Sequence, residues 1–268
     1  MNAASASRPA AIVTGASEGI GAELARVFAA GGHDLVLVAR RRDRLDALAN
    51  EIAATGRPHP LVVALDLARP EAPEELAEAL TAAGVAPAFL VNNAGFGTVG
   101  LFAGADVDPQ LGMIDLNIRA LTALTHRFLP QIVAARGGIL NVASVAAFAP
   151  GPGMAVYYAS KAFVLSFTEA LAEELAKQGV RVTALCPGPV VTGFQARAGF
   201  DPSMVRSMGP AVLSARVTAQ AGYDGLMAGR RVVIPGTANK ALVRAMAWIP
   251  HAILLPQLLA RQSRRTTK

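Results

Sequence analysis

The sequence predicts an α/β fold: one doubly wound parallel sheet of about seven strands, with helices on both faces. Two observations predict it. Short runs rich in Val, Ile, Leu and Ala recur along the chain, and amphipathic stretches of helical length separate them. Strand followed by helix, repeated, calls for crossover connections and a parallel sheet. The runs are also nearly continuous in apolar residues, as strands buried on both faces are.

The strand segments, in order, are "AAIVTG" (10–15), "DLVLVAR" (34–40), "HPLVVALDL" (59–67), "AFLVNNAG" (88–95), "GGILNVAS" (137–144), "VRVTALCPG" (180–188) and "RRVVIPG" (230–236). Between the first two lies "GAELARVFAAGG" (21–32), with Leu24, Val27 and Phe28 on one face. After the second comes "RRDRLDALANEIAATG" (41–56), where Leu45, Leu48, Ala49 and Ile52 share a helical face. No repeat, low-complexity block or linker interrupts this region. Residues 1–236 therefore read as one domain, with a substrate-loop segment around 188–225. Residues 237–268 form an apolar, then basic, extension.

At 268 residues, 53% hydrophobic and 16% charged, the chain can bury a large core and is not a disordered one. Its net charge is +6, with a basic end made by Arg261, Arg264, Arg265 and Lys268. That end reads as a solvated terminus; an anionic membrane surface is the alternative, and nucleic acid is not an expected partner. A lone cysteine, Cys186, excludes an internal disulfide, and its apolar run "VRVTALC" makes it a buried thiol. No metal-ligand set stands out. The opening "MNAASASRPA" lacks the apolar core of a secretory signal, so a cytoplasmic location is expected. The stretch "ALVRAMAWIPHAILLPQLLA" (241–260) is strongly apolar, but Arg244, Pro250, His251 and Pro256 make it a poor membrane span. It can lie on a membrane, roof a lipophilic pocket or pack between subunits.

The first strand runs into "TGASEGIG" (14–21), and a helix follows directly. Glycines at 15, 19 and 21 permit a tight turn and bring backbone amides close to a pyrophosphate at a helix N-terminus. After the second strand, where an acidic residue would favour NAD, stand Ala39 and Arg40. The planar fork of Arg40 suits a 2′-phosphate, which points to NADP over NAD. Glu18, in the glycine turn, gives no help to that phosphate. The third strand ends in Asp66 and Leu67, where a carboxylate could accept from an adenine amino group. The fourth ends in Asn93, Ala94 and Gly95, where glycine lets the chain pass close to a cofactor. Each of these also fits strand-end turn chemistry.

The stretch "AVYYASKAF" (155–163) carries two tyrosines near a lysine. Tyr157 lies four residues before Lys161 and Tyr158 three, so either can share its helical face. A nearby ammonium favours the phenolate, which a tyrosine needs to move a proton near neutral pH. Spacing alone does not choose between them.

Taken together, "TGASEGIG", "NNAG", Asn117 in "DLNIRA", Ser144 in "NVASVAA", "YYASK" and "PGPVVTGF" (187–194) stand in an order that resembles the short-chain dehydrogenases/reductases over residues 8 to 236. The resemblance implies a Rossmann fold and an NADP(H)-dependent oxidoreductase, a carbonyl reductase or alcohol dehydrogenase. It implies that the active tyrosine is Tyr157, thirteen residues after Ser144 and four before Lys161. Tyr157 would protonate the substrate oxygen and Ser144 donate a second hydrogen bond. Lys161 would hold the nicotinamide ribose and keep the phenol acidic, and Asn117 would position a water linking Lys161 to solvent. Ser17, Ile20 and the three glycines of the first turn would line the pyrophosphate. Pro187 and Gly188 would run beside the nicotinamide, with Val190 and Thr192 near its carboxamide.

The family's substrate walls correspond here to Phe96, Phe148, Met154, Phe194, Phe200 and Met204, which suggests an apolar carbonyl or alcohol substrate, and "GFDPSMVRSMGP" (199–210) has the composition of a lid. The family also assembles through helices after the fourth and fifth strands. The apolar stretches 113–135 and 159–179 suit a homodimer or homotetramer. A catalytically silent NADP-binding sensor or scaffold is the rival reading, and the intact Asn117, Ser144, Tyr157 and Lys161 weigh against it.

Overall fold

A computed structural model describes residues 8–199 and 209–266, without the side chains of Arg8, Gln195, Ala196 and residues 261–266. Phe200, Met204, most of the lid sequence and the basic side chains of the C-terminal end lie outside the described residues.

Seven parallel strands form one sheet in the order β3-β2-β1-β4-β5-β6-β7. They are β1 (Arg8–Thr14), β2 (Asp34–Ala39), β3 (Leu61–Ala64), β4 (Val85–Asn92), β5 (Gly138–Val142), β6 (Arg181–Leu185) and β7 (Val232–Val233). Each overlaps the segment predicted from its apolar run; β1 and β4 begin two and three residues before theirs, and every strand ends short of the predicted C-terminal bound. The polar or glycine-rich tails "LDL", "NAG" and "CPG" leave the sheet and become the loops of its carboxyl edge.

Crossover helices cover both faces. On one side, α1 (Gly19–Ala30), α2 (Arg42–Ala54) and a later helix, Ala215–Met227, pack Leu24, Phe28, Leu45 and Leu226 against Val13, Leu37 and Leu140 of the sheet. On the other, α3 (Ala72–Ala82) packs Leu76 and Leu80, and α5 (Leu121–Ala134) packs Leu124 and Phe128, against Ile12, Val36, Leu90 and Ile139. Adjacent residues of one strand, Ile12 and Val13, thus face opposite cores, which is why the strands read as continuous apolar runs.

The helix before α5 is not uniform. It begins as α4 (Val107–Ile114), widens into a π-helical stretch, Asp115–Ala120, and resumes as α5. A long α6 (Ala155–Leu175) follows β5. Between β4, β5, α5 and α6 runs a buried polar thread. Asn92 donates to Asn141 Oδ1 (2.9 Å) and Thr125 Oγ1 (3.1 Å), and Asn141 donates to Thr168 Oγ1 (3.0 Å). These two asparagines are paired in register across the sheet, so the thread sets the relative height of the two strand ends that reach the site.

Beyond β6 come α7 (Gly193–Ala198), α8 (Ala215–Met227, the helix named above) and, after β7, α9 (Thr237–Met246) and α10 (His251–Thr266). The predicted extension is these last two helices. It packs onto the sheet's carboxyl edge: Asn239 of α9 is fully buried and donates to Ala211 O (3.1 Å) and Pro235 O (3.0 Å), leaving no room for a side chain at Gly188. None of the helices, among the described residues, is long and apolar enough to cross a membrane.

Candidate active site

The sheet reverses direction of build at β1, which is flanked by β2 on one side and β4 on the other. Loops leaving such a pair diverge and open a cleft at their carboxyl ends. Here the two loops are stitched together at their base. The Thr14 hydroxyl donates to Val91 O (3.1 Å) and accepts from the N–H of Asn93 (2.9 Å) and Ala94 (3.0 Å). Asn93 in turn donates from Nδ2 to Thr14 O (2.9 Å). Thr14, which the sequence marked only as part of a motif, and Asn93 therefore hold the glycine turn in shape.

That turn needs its glycines. Gly15 and Gly19 have φ of 64° and 59°, a region costly for other residues. A Cβ on Gly21 would collide with the Gly15 carbonyl and with Asn93 Nδ2. Helix α1 starts at Gly19 with no side chain capping it and no acidic residue in its first turn. Its leading amides are left for an anion to satisfy.

Glu18 does not reach those amides. Its carboxylate pairs with Arg41 (3.0 Å), Arg44 (2.9 Å) and Arg197 of α7, while Arg41 also donates to Ser17 Oγ (2.9 Å). Arg40 is different: its side chain is 74% exposed, and Asp66 Oδ2, at 3.9 Å, is the carboxylate it meets. Asp66 spends its other oxygen on the N–H of Ala68 (3.1 Å), the turn chemistry the sequence left open. Arg40 is thus the less compensated cation at the end of β2.

At the other end of the cleft, α6 brings Tyr157 and Lys161 onto one face. Lys161 Nζ is buried and donates to Val142 O (2.8 Å) at the end of β5, 5.9 Å from the centre of the Tyr157 ring. Asn117 lies in the π-helical stretch, a local widening that recurs at functional sites. Its Oδ1 accepts from Phe96 N–H (3.1 Å), and its Nδ2 donates to Phe96 O and Ser160 Oγ (both 3.0 Å). Ser160 Oγ donates to Tyr157 O (2.7 Å), so Asn117 ties the loop after β4 to α6. The absence of a side chain at Gly95 permits this: a Cβ there would stand 2.9 Å from Asn117 Oδ1 and 3.5 Å from Lys161 Nζ. Ser144 Oγ accepts from Ala146 N–H (3.1 Å), capping a short helical turn, and donates to Pro187 O (3.5 Å), while its hydroxyl acts to lower the Tyr157 phenol.

Burial governs the protonation of this pair. It pushes the Tyr157 phenol up to about 12, against the hydrogen bond from Ser144, and lowers Lys161 to about 8. Burial thus outweighs the acidifying effect expected from the ammonium. Tyr158 lies edge-on to Tyr157 with ring centres 6.2 Å apart, and its ring occupies the space a side chain on Gly151 would need. Cys186 is buried and its thiol pushed up to about 12, which leaves it inert.

One cavity of about 1150 Å³ joins these parts. It is lined by every residue singled out as cofactor-binding from the sequence, and by Ser144, Tyr157 and Lys161; Asn117 stands buried behind the wall. Phe96, Met154 and Phe194 line it as expected, whereas Phe148 packs against the core beside Val164 and Cys186. The sequence missed Arg41 and Arg197 on the wall, and left open the role of Leu242, Met246 and Leu258 from α9 and α10, which roof the cavity. Their apolar character was visible; their destination was not.

An uncapped helix start, a glycine turn too tight for side chains and a basic strand end fit a dinucleotide. Comparison with known proteins agrees: the short chain dehydrogenase family model matches residues 9–201. The chain belongs to the short-chain dehydrogenase family. Sulfoacetaldehyde reductase 2 of Chromohalobacter salexigens is 40% identical over 71% of this chain and 76% of its own. A short-chain dehydrogenase from Sphingobium yanoikuyae, solved in complex with NADPH, superposes with a TM-score of 0.77 at 35% identity, covering 93% of this chain and 99% of its own. The bulky-bulky ketone specific alcohol dehydrogenase from Comamonas testosteroni gives 0.73 at 30% identity, over 94% and 98%. This short-chain dehydrogenase is an oxidoreductase of the CH–OH/C=O class that uses a nicotinamide cofactor.

The Lys161 shift in this short-chain dehydrogenase has a consequence for stability. Its folded pKa, about 8, lies below its ordinary 10.5. Below pH 8 both folded and unfolded states hold the proton, and the buried ammonium destabilises the fold by its full amount. Between 8 and 10.5 only the unfolded state keeps it, so the destabilisation fades as pH rises. The stability of the cofactor-free wild type, measured against Lys161→Met, should therefore improve from pH 7 to pH 10 by ~2–3 kcal/mol. Urea denaturation of both proteins across that range checks this; a constant difference would mean Lys161 is not burial-shifted.

Proposed function

We propose that this enzyme interconverts a lipophilic carbonyl compound and its secondary alcohol, with NADP(H) preferred to NAD(H). The observation that carries this reading is the single cavity running from Arg40 past the uncapped α1 start to Ser144 and Tyr157, and on beneath Leu242, Met246 and Leu258. When bound, the nicotinamide cofactor supplies or accepts the hydride. Residues at Gly15, Ile20, Gly21, Asn93 and Gly95 would hold it along the sheet edge, with Arg40 on a 2′-phosphate.

The rest of the chemistry falls to side chains. In reduction, Tyr157 donates its phenolic proton to the substrate oxygen as that atom gains negative charge. Its high pKa keeps the phenol protonated at neutral pH, which suits the donor. Ser144 gives the same oxygen a second hydrogen bond. Lys161, held by Val142 O, supplies a positive charge beside Tyr157 that favours the phenolate left behind. Asn117 is a positioning residue: it locks Phe96 and, through Ser160, the first turn of α6. Exposed apolar side chains on α4 and α6, among them Val107, Leu111 and Phe163, support a homo-oligomer.

The test is cofactor oxidation by purified protein over aldehydes and ketones from short polar to long acyl and polycyclic, with NADPH and NADH. NADPH with bulky apolar carbonyls should give the highest kcat/KM. Arg40→Ala should raise the KM for NADPH by about ten- to a hundredfold, as loss of a charged hydrogen bond does, and leave that for NADH unchanged. Equal use of NADH removes the cofactor assignment. A preference for short polar aldehydes, the class in the name of the Chromohalobacter relative, removes the substrate assignment.

A further inference from the structure

We infer that α9, α10 and the corner between them form a docking surface for an anionic lipid layer, which places the roof of the cavity at the membrane interface. Two independent observations support it.

The first is the division of the two helices into an inner and an outer side. Asn239, Val243 and Leu254 are buried, and Leu242, Met246 and Leu258 line the cavity. The opposite side is apolar as well. Trp248 is 87% exposed and Ile249 38%, both in the turn between the helices, and Ile253 one turn onward is 53% exposed. A tryptophan and two isoleucines at a protruding corner match the residues that settle at a membrane–water boundary. No described helix can cross a bilayer, so the fitting arrangement lies on it.

The second is charge. Eight of the 25 Lys and Arg residues, and none of the 19 Asp and Glu, come after Asp224. Arg230 and Arg231 stand before β7, at the far edge of the sheet; residues 1–236 carry 19 basic and 19 acidic side chains, so the net +6 equals the six cations of residues 237–268. Arg231 is paired with Glu173, but Lys240 and Arg244 on α9 have no acidic partner among the described residues. α10 continues into Arg261, Arg264 and Arg265. Exposed apolar side chains on two helices and a corner whose sequence carries cations and no acidic residue complement a negatively charged lipid surface, whereas a second copy would set this positive end against itself.

Trp248 is the only tryptophan, so its fluorescence reports this corner alone. The full-length protein is mixed with vesicles of phosphatidylcholine alone or with phosphatidylglycerol, and emission and co-sedimentation are followed. The expected result is a blue shift and co-sedimentation with the anionic vesicles only, weakening about fivefold for each of Lys240→Gln and Arg244→Gln. Ile253→Ser with Trp248→Ser should abolish co-sedimentation while leaving turnover of a water-soluble carbonyl unchanged, since neither side chain lines the cavity. The vesicle readout needs no turnover, so it stands or falls apart from the substrate assignment. An unshifted Trp248 with anionic vesicles overturns the proposal. A blue shift that depends on protein concentration without vesicles also overturns it, by assigning the corner to a second copy.

Discussion

Replacing Tyr157 by Phe is expected to lower kcat for carbonyl reduction by ~10²–10⁴-fold while leaving cofactor affinity within a small factor, because in the proposed mechanism it removes the proton donor and little else. The Tyr157 ring rests 5.6 Å from Phe194 and beside Gly97, where no side chain fits, and phenylalanine keeps those contacts. What goes is the phenolic oxygen, the atom that carries the proton. Tyr158 supplies the control. Its ring lines the same cavity, yet it sits against Gly151. Tyr158→Phe should cost less than tenfold. Steady-state kinetics of both variants, with cofactor binding by fluorescence titration, checks the pair; the larger loss in Tyr158→Phe would reverse the assignment.

Gly21→Ala is expected to damage both stability and cofactor binding. A methyl group there meets the carbonyl of Gly15 and stands within 2.8 Å of its carbonyl carbon. That obstacle is backbone, which cannot rotate away. Relief requires α1 to back off from the turn, an overpacking cost of ~1–3 kcal/mol. Each kcal/mol corresponds to ~2–4 °C in Tm for a chain of this size. The same displacement carries the uncapped amides of α1 away from the cavity, so the Kd for the cofactor should rise at least ~10-fold, the equivalent of ~1.4 kcal/mol. Gly104→Ala, with nothing within 4 Å of the added atom, should change neither quantity. Thermal melts with and without cofactor distinguish the two effects: a Gly21→Ala protein that melts like wild type would show the turn to be looser than described.

Much of this molecule could be read along the chain. The seven strands were legible because a strand buried on both faces must be apolar at successive positions, as Leu35 to Val38 are. The helix faces followed from Leu45, Leu48 and Ile52, which recur at the helical period and are buried. The carboxyl-edge residues, from Gly15 to Thr192, line one cavity because each directly follows a strand and parallel strands all end on the same side.

Other features have no local mark. Nothing in "DLNIRA" distinguishes a π-helical turn from an α-helical one; the widening is set by Asn117 bonding to Phe96 and Ser160, residues distant in the chain. Neighbouring arginines look alike in "ARRRDR", yet Arg41 and Arg44 are held by Glu18 across the turn while Arg40 faces the cavity more freely. The phenol of Tyr157 was expected to be acidified by Lys161, but depth of burial, a property of the whole fold, pushes it the other way.

By itself the sequence determined the alternation of strands and helices, the order of the glycine, asparagine, serine, tyrosine and lysine positions, and therefore the family. The alternation follows from periodicity, which neighbouring residues set between them, and the family from the resemblance of that ordered set to a known pattern. Only the tertiary structure decided which arginine is compensated, how far burial shifts Tyr157 and Lys161, and that the apolar end of the chain roofs the cavity. Each of these depends on the distance between groups far apart in the chain and on the water excluded between them, and both come into being only when the chain has folded.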